Sequence, residues 1–431
     1  MPVTIVVGEQ RGDEGKGRFV DALAMDHDIV ARFNGGPNAG HTVVLPDGRV
    51  LKLHLIPSGI AHKNTLNIIG NGTYLDPVKL VAEIADVRQQ NIAITPNNLM
   101  ISTASQLIMP HHKQLDAMRE KGTEGQGSTK AGIAFVAAEK YQRNGLRGDD
   151  IVGNQHNLYE LALSKLVRLN RMYSGENALT EKEAMQQAEE WTDACNSLRE
   201  YFTDTTVLVN AHLKLGKKIL AEGAQAFWLD IDQGMYPFVT SSSTISGGVL
   251  PGLGIAPHHI KRVVGVAKAT QSHVGGGPFV TEITEKKLLG ALRGEAGQID
   301  TEQGTTTGRW RRMGHLDLPG LRRAQMVNGS NELALTKLDC VGRYGKLASI
   351  CVAYKKDGET LLVAPASARE LQQCQAVYKE LPTWTEDIQD VRKYSKLPEN
   401  AQKYIEFIEE QTGVPITMIG VGPGRDQVIL R

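Results

Sequence analysis

With 431 residues, 41% of them hydrophobic and 22% charged, the chain has an ordinary globular composition with enough apolar mass for a substantial core. Lys plus Arg and Asp plus Glu both number 48, so no global charge argues for nucleic-acid or membrane binding, and the expected partners are small molecules. The four cysteines, Cys195, Cys340, Cys351 and Cys374, lie far apart, which gives neither a zinc motif nor a disulfide framework and fits a reducing compartment.

Residues 1–8 are apolar without a basic leader, and no run approaches the roughly 18 apolar residues of a membrane span; a cytoplasmic protein without a targeting segment is expected. Residues 3–7 form a β-branched block, a Gly-rich turn follows, and 18–25 have helical spacing, so the chain opens strand, loop, helix. Short apolar runs recur at 28–33, 66–69, 218–220, 262–267, 332–338 and 347–354, several separated by helix-patterned stretches. That alternation predicts an α/β fold: a large, mostly parallel central sheet flanked by helices, with a P-loop-like phosphate loop after the first strand. Between about 155 and 217 the pattern turns helical and polar, with Thr180 and Glu183 forming a capping box ahead of a helix through Trp191. A helical subdomain inserted in one interwoven domain spanning 1–431 is expected, since no repeat or proline-rich linker divides the chain.

Two loops carry the chemistry. Gly8-Glu9-Gln10-Arg11-Gly12-Asp13-Glu14-Gly15-Lys16-Gly17 joins the first strand to the first helix, where backbone N–H groups and the helix dipole favour phosphate and Lys16 adds a point charge. The motif differs from G-x-x-x-x-G-K-[ST]: its first Gly comes two positions too early, and Gly17 replaces the magnesium-binding hydroxyl, so an ordinary Gly-rich turn stays open. A carboxylate beside phosphate repels it unless a metal or proton intervenes; Asp13 is therefore a candidate magnesium ligand, base or both, against the alternative of a helix N-cap. The second loop, residues 33–42, follows the second apolar run and reaches the same sheet edge. Its His41, flanked by glycine, is a candidate general acid or charge stabiliser, against the alternative of a polar surface residue.

The fragments G-D-E-G-K-G (12–17), N-A-G-H-T (38–42), H-L-I-P-S-G (54–59), E-G-A-Q (222–225), L-D-I-D-x-G-x-Y-P (229–237) and T-K-L-D (336–339) together resemble the adenylosuccinate synthetases, in family order over nearly the whole chain. The resemblance implies GTP-dependent joining of IMP and L-aspartate through a 6-phosphoryl purine. It makes Asp13 the base that takes the purine N1 proton and His41 the acid that stabilises the transferring phosphoryl group, with Gln225 completing the catalytic set. It implies Mg2+ held by Asp13 and the Gly40 carbonyl. The activated nucleotide would touch Asn38, Thr129, Arg143, Gln225, Thr240 and Arg309, with Arg143 reaching the neighbouring subunit's site in a homodimer. Aspartate would meet Val274, Thr305, Thr306, Thr307 and Arg309. GTP would meet Gly12, Glu14, Gly15, Lys16, Gly17, Thr42 and Arg311, and its base Lys337, Asp339, Gly420 and Gly422. An Asp339 carboxylate accepting from guanine N1–H and N2–H2 would favour GTP, because adenine lacks that donor pair.

The chain departs from the family pattern around ligands: Arg11 stands for Trp, Pro37 for His, Ser128-Thr129-Lys130-Ala131-Gly132 for T-T-G-R-G, Ser272-His273-Val274 for Thr-Arg-Val, and Gly420 for Ser. Two alternatives follow. One is an enzyme like the viral 2-aminoadenylosuccinate synthetases, which join aspartate to dGMP, although several of those lack the Asp matching Asp13. The other is a non-catalytic nucleotide-binding protein on the same fold; a simple GTPase switch is a further competitor.

Overall fold

The computed structural model describes residues 3–121, 127–153, 157–172, 178–296, 298, 301–304 and 308–431. The β-branched run Val3–Gly8 is buried at every position, as a strand must be when both sheet faces are covered. Its side chains alternate: Val3, Ile5 and Val7 pack with Phe33, Ile219 and Ala221, while Val6 packs on the other face with Phe19, Val20 and Val264. Around it the described residues build a ten-stranded sheet, in the order Val428–Leu430, Ile416–Gly420, Glu332–Thr336, Ile260–Lys268, Val3–Gly8, Ile219–Glu222, Ile29–Arg32, Leu66–Ile69, Leu99–Ser102, Phe202–Thr203. Every neighbouring pair is parallel except the edge strand Val428–Leu430, which runs antiparallel to Ile416–Gly420.

The apolar run at 347–354 goes elsewhere. The strand Leu347–Lys356 lies in a second sheet, pairing antiparallel with Gln375–Pro382 and Glu359–Leu361 and parallel with Arg312–Asp317. Its burial alternates and its partner Gln375–Pro382 is mostly exposed, so this sheet buries one face only. Apolar content alone does not say which sheet a run joins.

The polar stretch contains the helices Leu158–Met172, Glu181–Ser197 and Thr205–Lys214. Thr180 and Glu183 make the reciprocal capping box, Thr180 Oγ1 accepting from Glu183 N at 3.2 Å and Glu183 Oε2 accepting from Thr180 N at 2.8 Å. Trp191, fully buried, donates Nε1–H to Ile108 O at 2.8 Å and so anchors this helix beneath the sheet's edge. Between the last two helices the chain contributes Phe202–Thr203 as the outermost parallel strand. No helix among the described residues is long and apolar enough to cross a membrane.

Candidate active site

Five strands at the sheet's centre end on one side, and the loops leaving their carboxyl ends surround a cleft of about 820 Å³. The first of these loops turns through Gly12 at φ +95°, Asp13 at φ +58° and Gly15 at φ +88° before entering the helix Lys16–Ala24. Asp is among the few side chains that tolerate the left-handed region. Gly15, not Asp13, occupies the N-cap position, and no side chain among the described residues caps the helix, so its first N–H groups stay available to an anion. Gly17 faces His41: an added Cβ would stand 2.9 Å from the His41 Cβ, which explains why no hydroxyl residue follows Lys16. Glu14 folds under the loop, fully buried, accepting from Gly12 N at 2.8 Å and from Lys16 Nζ at 2.6 Å. Gly12, Asp13, Gly15, Lys16 and Gly17 line the cleft; Glu14 does not.

His41 reaches the same cleft from the second loop, with Gly40 and Thr42 beside it. Its Nδ1 makes a short hydrogen bond to Glu222, at the end of the strand Ile219–Glu222. Glu222 is fully buried and also accepts from Ser58 N at 2.8 Å and Ser58 Oγ at 2.7 Å, with Arg32 Nη1 at 3.9 Å. Burial raises the Glu222 carboxyl, but Arg32 and His41 outweigh it and hold it down at about 2. Burial, then the Arg32 charge, pushes His41 down to about 4, against the pull of Glu222. The imidazole is thus neutral near neutrality, oriented by a carboxylate that takes its Nδ1–H and leaves Nε2 for a ligand.

Asp13 is 34% exposed, and its Oδ2 accepts from Arg311 Nε at 2.8 Å. Arg311 Nη1 also donates to Glu302 at 2.8 Å, and Glu302 takes Lys268 Nζ at 3.0 and 2.9 Å and lies 3.6 Å from Lys337 Nζ. Burial pushes the Asp13 carboxyl up, yet Arg311, Lys268 and Lys16 together bring it below the ordinary range. Glu302 is buried and likewise held far below that range, burial being outweighed by Lys268, Lys337 and Arg311. One carboxylate therefore gathers three cations on the cleft wall, a surplus of positive charge suited to a polyphosphate.

A third cluster lines the same cleft. Gln225, at φ +58°, donates Nε2–H to Asn38 Oδ1 at 3.1 Å, and Asn38 Nδ2 lies 3.5 Å from Thr240 Oγ1. Gln225 Oε1 is buried without a partner among the described residues, an acceptor available to a ligand. Thr129 lines the cleft on a segment tied down by Asp116, whose Oδ2 accepts from Ser128 Oγ and Gly132 N, both at 2.9 Å. Val274, Arg309, Arg311 and Lys337 line it as well, and Arg309 Nη2 donates to Gly127 O at 3.0 Å. Thr305, Thr306 and Thr307 lie outside the described residues. Arg143 caps the helix Ile133–Gln142, is exposed, and does not line its own chain's cleft. Asp339, Gly420 and Gly422 do not line the cleft, although Lys337, two residues before Asp339, does. Sequence reading singled out none of Glu222, Glu302 and Lys268 as site residues; two glutamates inside recognisable motif neighbourhoods were the available signal.

The departures from the family pattern have local partners. Arg11 packs over Phe279 and Trp228, 4.6 and 5.8 Å from the ring centroids, and donates to Pro278 O and Met235 Sδ at 2.9 Å each. His273 Nε2 bonds Gly276 O at 3.0 Å.

A parallel sheet whose central strand opens into a Gly-rich, uncapped helix start, facing a buried His–Glu pair and clustered cations, defines an α/β enzyme of nucleotide phosphoryl chemistry. The adenylosuccinate synthetase family profile matches residues 5–429. Adenylosuccinate synthetases of Caldicellulosiruptor saccharolyticus and Clostridium kluyveri are 43% and 44% identical to it, each covering 100% of this chain and 99% of the relative. The structure of fully ligated adenylosuccinate synthetase from Plasmodium falciparum superimposes with a TM-score of 0.89 at 35% identity, covering 100% of this chain and 99% of that one. A cyanophage S-2L succinoaminodeoxyadenylate synthetase bound to dGMP and dATP shares the fold alone, at 18% identity and a TM-score of 0.58 over 100% and 95% of the two chains. The chain belongs to the adenylosuccinate synthetase family.

Proposed function

We propose that this enzyme performs its family's GTP-dependent ligation of IMP and L-aspartate with Asp13 as base and His41 as acid and charge stabiliser. The observation that carries the assignment is that these two side chains, from successive strand-end loops, line one cleft. The purine C6 oxygen is a poor leaving group, so activation by phosphorylation precedes displacement by the aspartate amine. Asp13 is well placed to take the N1 proton, which makes O6 nucleophilic toward the γ-phosphorus. With Nδ1 held by Glu222, His41 keeps Nε2 for the transferring phosphoryl group, whose negative charge would favour the protonated ring that Glu222 supports. Asn38, Gln225, Thr240 and Thr129, which line the cleft, are assigned to the activated nucleotide, and Val274 and Arg309, which line it as well, are assigned to aspartate together with Thr305, Thr306 and Thr307.

The Gly-rich loop, Lys16, Thr42 and Arg311 take the triphosphate, and Lys337 and Asp339 its base. An all-oxygen set suits magnesium: Asp13 Oδ1 makes no hydrogen bond to any described residue, and Gly40 lines the cleft nearby. When bound there, the ion spreads the charge of phosphoryl transfer. We further infer a cytoplasmic homodimer in which the exposed Arg143 of one subunit completes the partner's nucleotide site, which its position away from its own cleft supports.

A coupled assay with GTP, L-aspartate and a panel of IMP, GMP and dGMP tests the reading. Phosphate release that requires both IMP and aspartate is expected. Release from GTP alone would mark a hydrolase, and a preference for dGMP would move the substrate assignment to the viral type.

A further inference from the structure

Arg18 lies one position past the phosphate loop, in the helix Lys16–Ala24, and its guanidinium rests against Gly420. A Cβ added to Gly420 would stand 1.9 Å from Arg18 Nη2 and 2.7 Å from Cζ. Any side chain at 420, including the serine usual in the family, would evict this guanidinium. The Arg18 side chain makes no hydrogen bond or ion pair with any described residue; its Nε is buried without a partner among them, and the Phe19 ring lies 5.2 Å from its Cζ. Burial lowers its proton affinity to about 10, and Asp339 is near enough to raise it without pairing with it. Among the described residues, the Asp339 carboxylate accepts a hydrogen bond only from Cys340 Sγ, at 3.7 Å. A half-buried cation and a carboxylate that face each other's field without touching leave polar atoms unsatisfied, as a site does before its ligand arrives.

We propose that Arg18 is a specificity residue for the base of the triphosphate, donating to guanine O6 and N7 beside the N1–H and N2–H2 donors accepted by Asp339. The proposal rests on the assignment of GTP as phosphoryl donor with its base at Asp339. The guanidinium fork matches the O6/N7 acceptor pair of guanine. Adenine would turn an amino donor toward Arg18 and offer Asp339 no N1–H, so the pair rejects ATP from two sides. Gly420 is then required because it makes room for the fork.

Steady-state kinetics on the intact enzyme test this. Arg18→Met should raise KM for GTP by about 10- to 100-fold, the loss of a charge-assisted hydrogen bond, and leave KM for IMP and aspartate unmoved. Gly420→Ser should raise the same constant in the parent enzyme and add little in an Arg18→Ala background, because it acts by displacing Arg18. The parent enzyme should discriminate against 7-deaza-GTP, which lacks the N7 acceptor, and that comparison decides the matter if the Arg18 variants do not fold. An unchanged KM for GTP in Arg18→Met, or equal use of GTP and 7-deaza-GTP by the parent enzyme, overturns the proposal. If the parent enzyme shows no GTP-supported ligation at all, the assignment of the donor fails instead.

Discussion

Arg311 donates from Nε to Asp13 Oδ2 at 2.8 Å, so the carboxylate assigned as base is tied to a cation assigned to the triphosphate. The pairing has two consequences. It keeps Asp13 ionised, and under the roles proposed above a phosphate that competes for Arg311 would release the carboxylate toward the purine. Asp13→Asn keeps the size of the side chain but removes its basicity, so kcat should fall by roughly 10²- to 10⁴-fold. GTP affinity, measured by equilibrium binding, should change by only a few-fold, because the loop N–H groups and Lys16 remain. Unchanged turnover would remove Asp13 from the mechanism.

Replacing the other partner shifts a pH profile. The Asp13 carboxyl is moved by burial upward and by Arg311, Lys268 and Lys16 downward, with a net lowering. In Arg311→Met the largest downward influence is gone and the pKa rises, so the acid limb of kcat/KM for IMP should move to higher pH. KM for GTP should rise as well. A profile that keeps its acid limb in place would show that Asp13 does not govern it.

The central sheet was legible because its central strands are buried on both faces: short runs rich in Val and Ile, such as those in 3–7 and 262–267, have no other stable use. The conformation of the first loop was legible too, since glycines at φ +95° and +88° around an Asp at φ +58° need that composition. What stayed hidden was pairing. His41 and Glu222 are 181 residues apart, and Asp13 and Arg311 are 298 apart, so only the order of strands in the sheet brings them together. The second sheet was hidden for the same reason: an apolar run at 347–354 records that it is buried, not what buries it.

The His41–Glu222 pair predicts a change on the alkaline side. Glu222 raises the proton affinity of His41, while burial and Arg32 lower it. Glu222→Gln keeps an acceptor for Nδ1–H but removes the negative charge, so the protonated ring becomes rarer. If His41 acts as acid, kcat should fall and its basic limb should move to lower pH. The variant also leaves Arg32 buried without its carboxylate, an arrangement that costs roughly 3–5 kcal/mol when one partner of a buried pair is lost. A lowered urea midpoint with an unmoved pH profile would make Glu222 purely structural.

Stability itself should fall on mild acidification. His41, His112 and His273 are buried and lowered from 6.5 to about 4, in each case first by burial. A histidine whose folded pKa lies below its unfolded value binds fewer protons when native, so its contribution is complete above about 6.5 and is lost as pH falls toward 4. Each shift corresponds to roughly 3 kcal/mol across that window. Glu9 opposes them: buried and raised to about 7, it stabilises the fold as pH drops from 7 toward 4.5. Three histidines outweigh one glutamate, so the urea midpoint should be lower at pH 5 than at pH 7.5. His273 gives a local check, because its Nε2 already bonds Gly276 O and a second proton on Nδ1 would be buried near Arg11 and Arg312. His273→Gln removes that titration and should reduce the fall by about half on this accounting, because Glu9 already offsets one of the three shifts. A midpoint that rises on acidification would mean that these imidazoles are already charged in the folded enzyme.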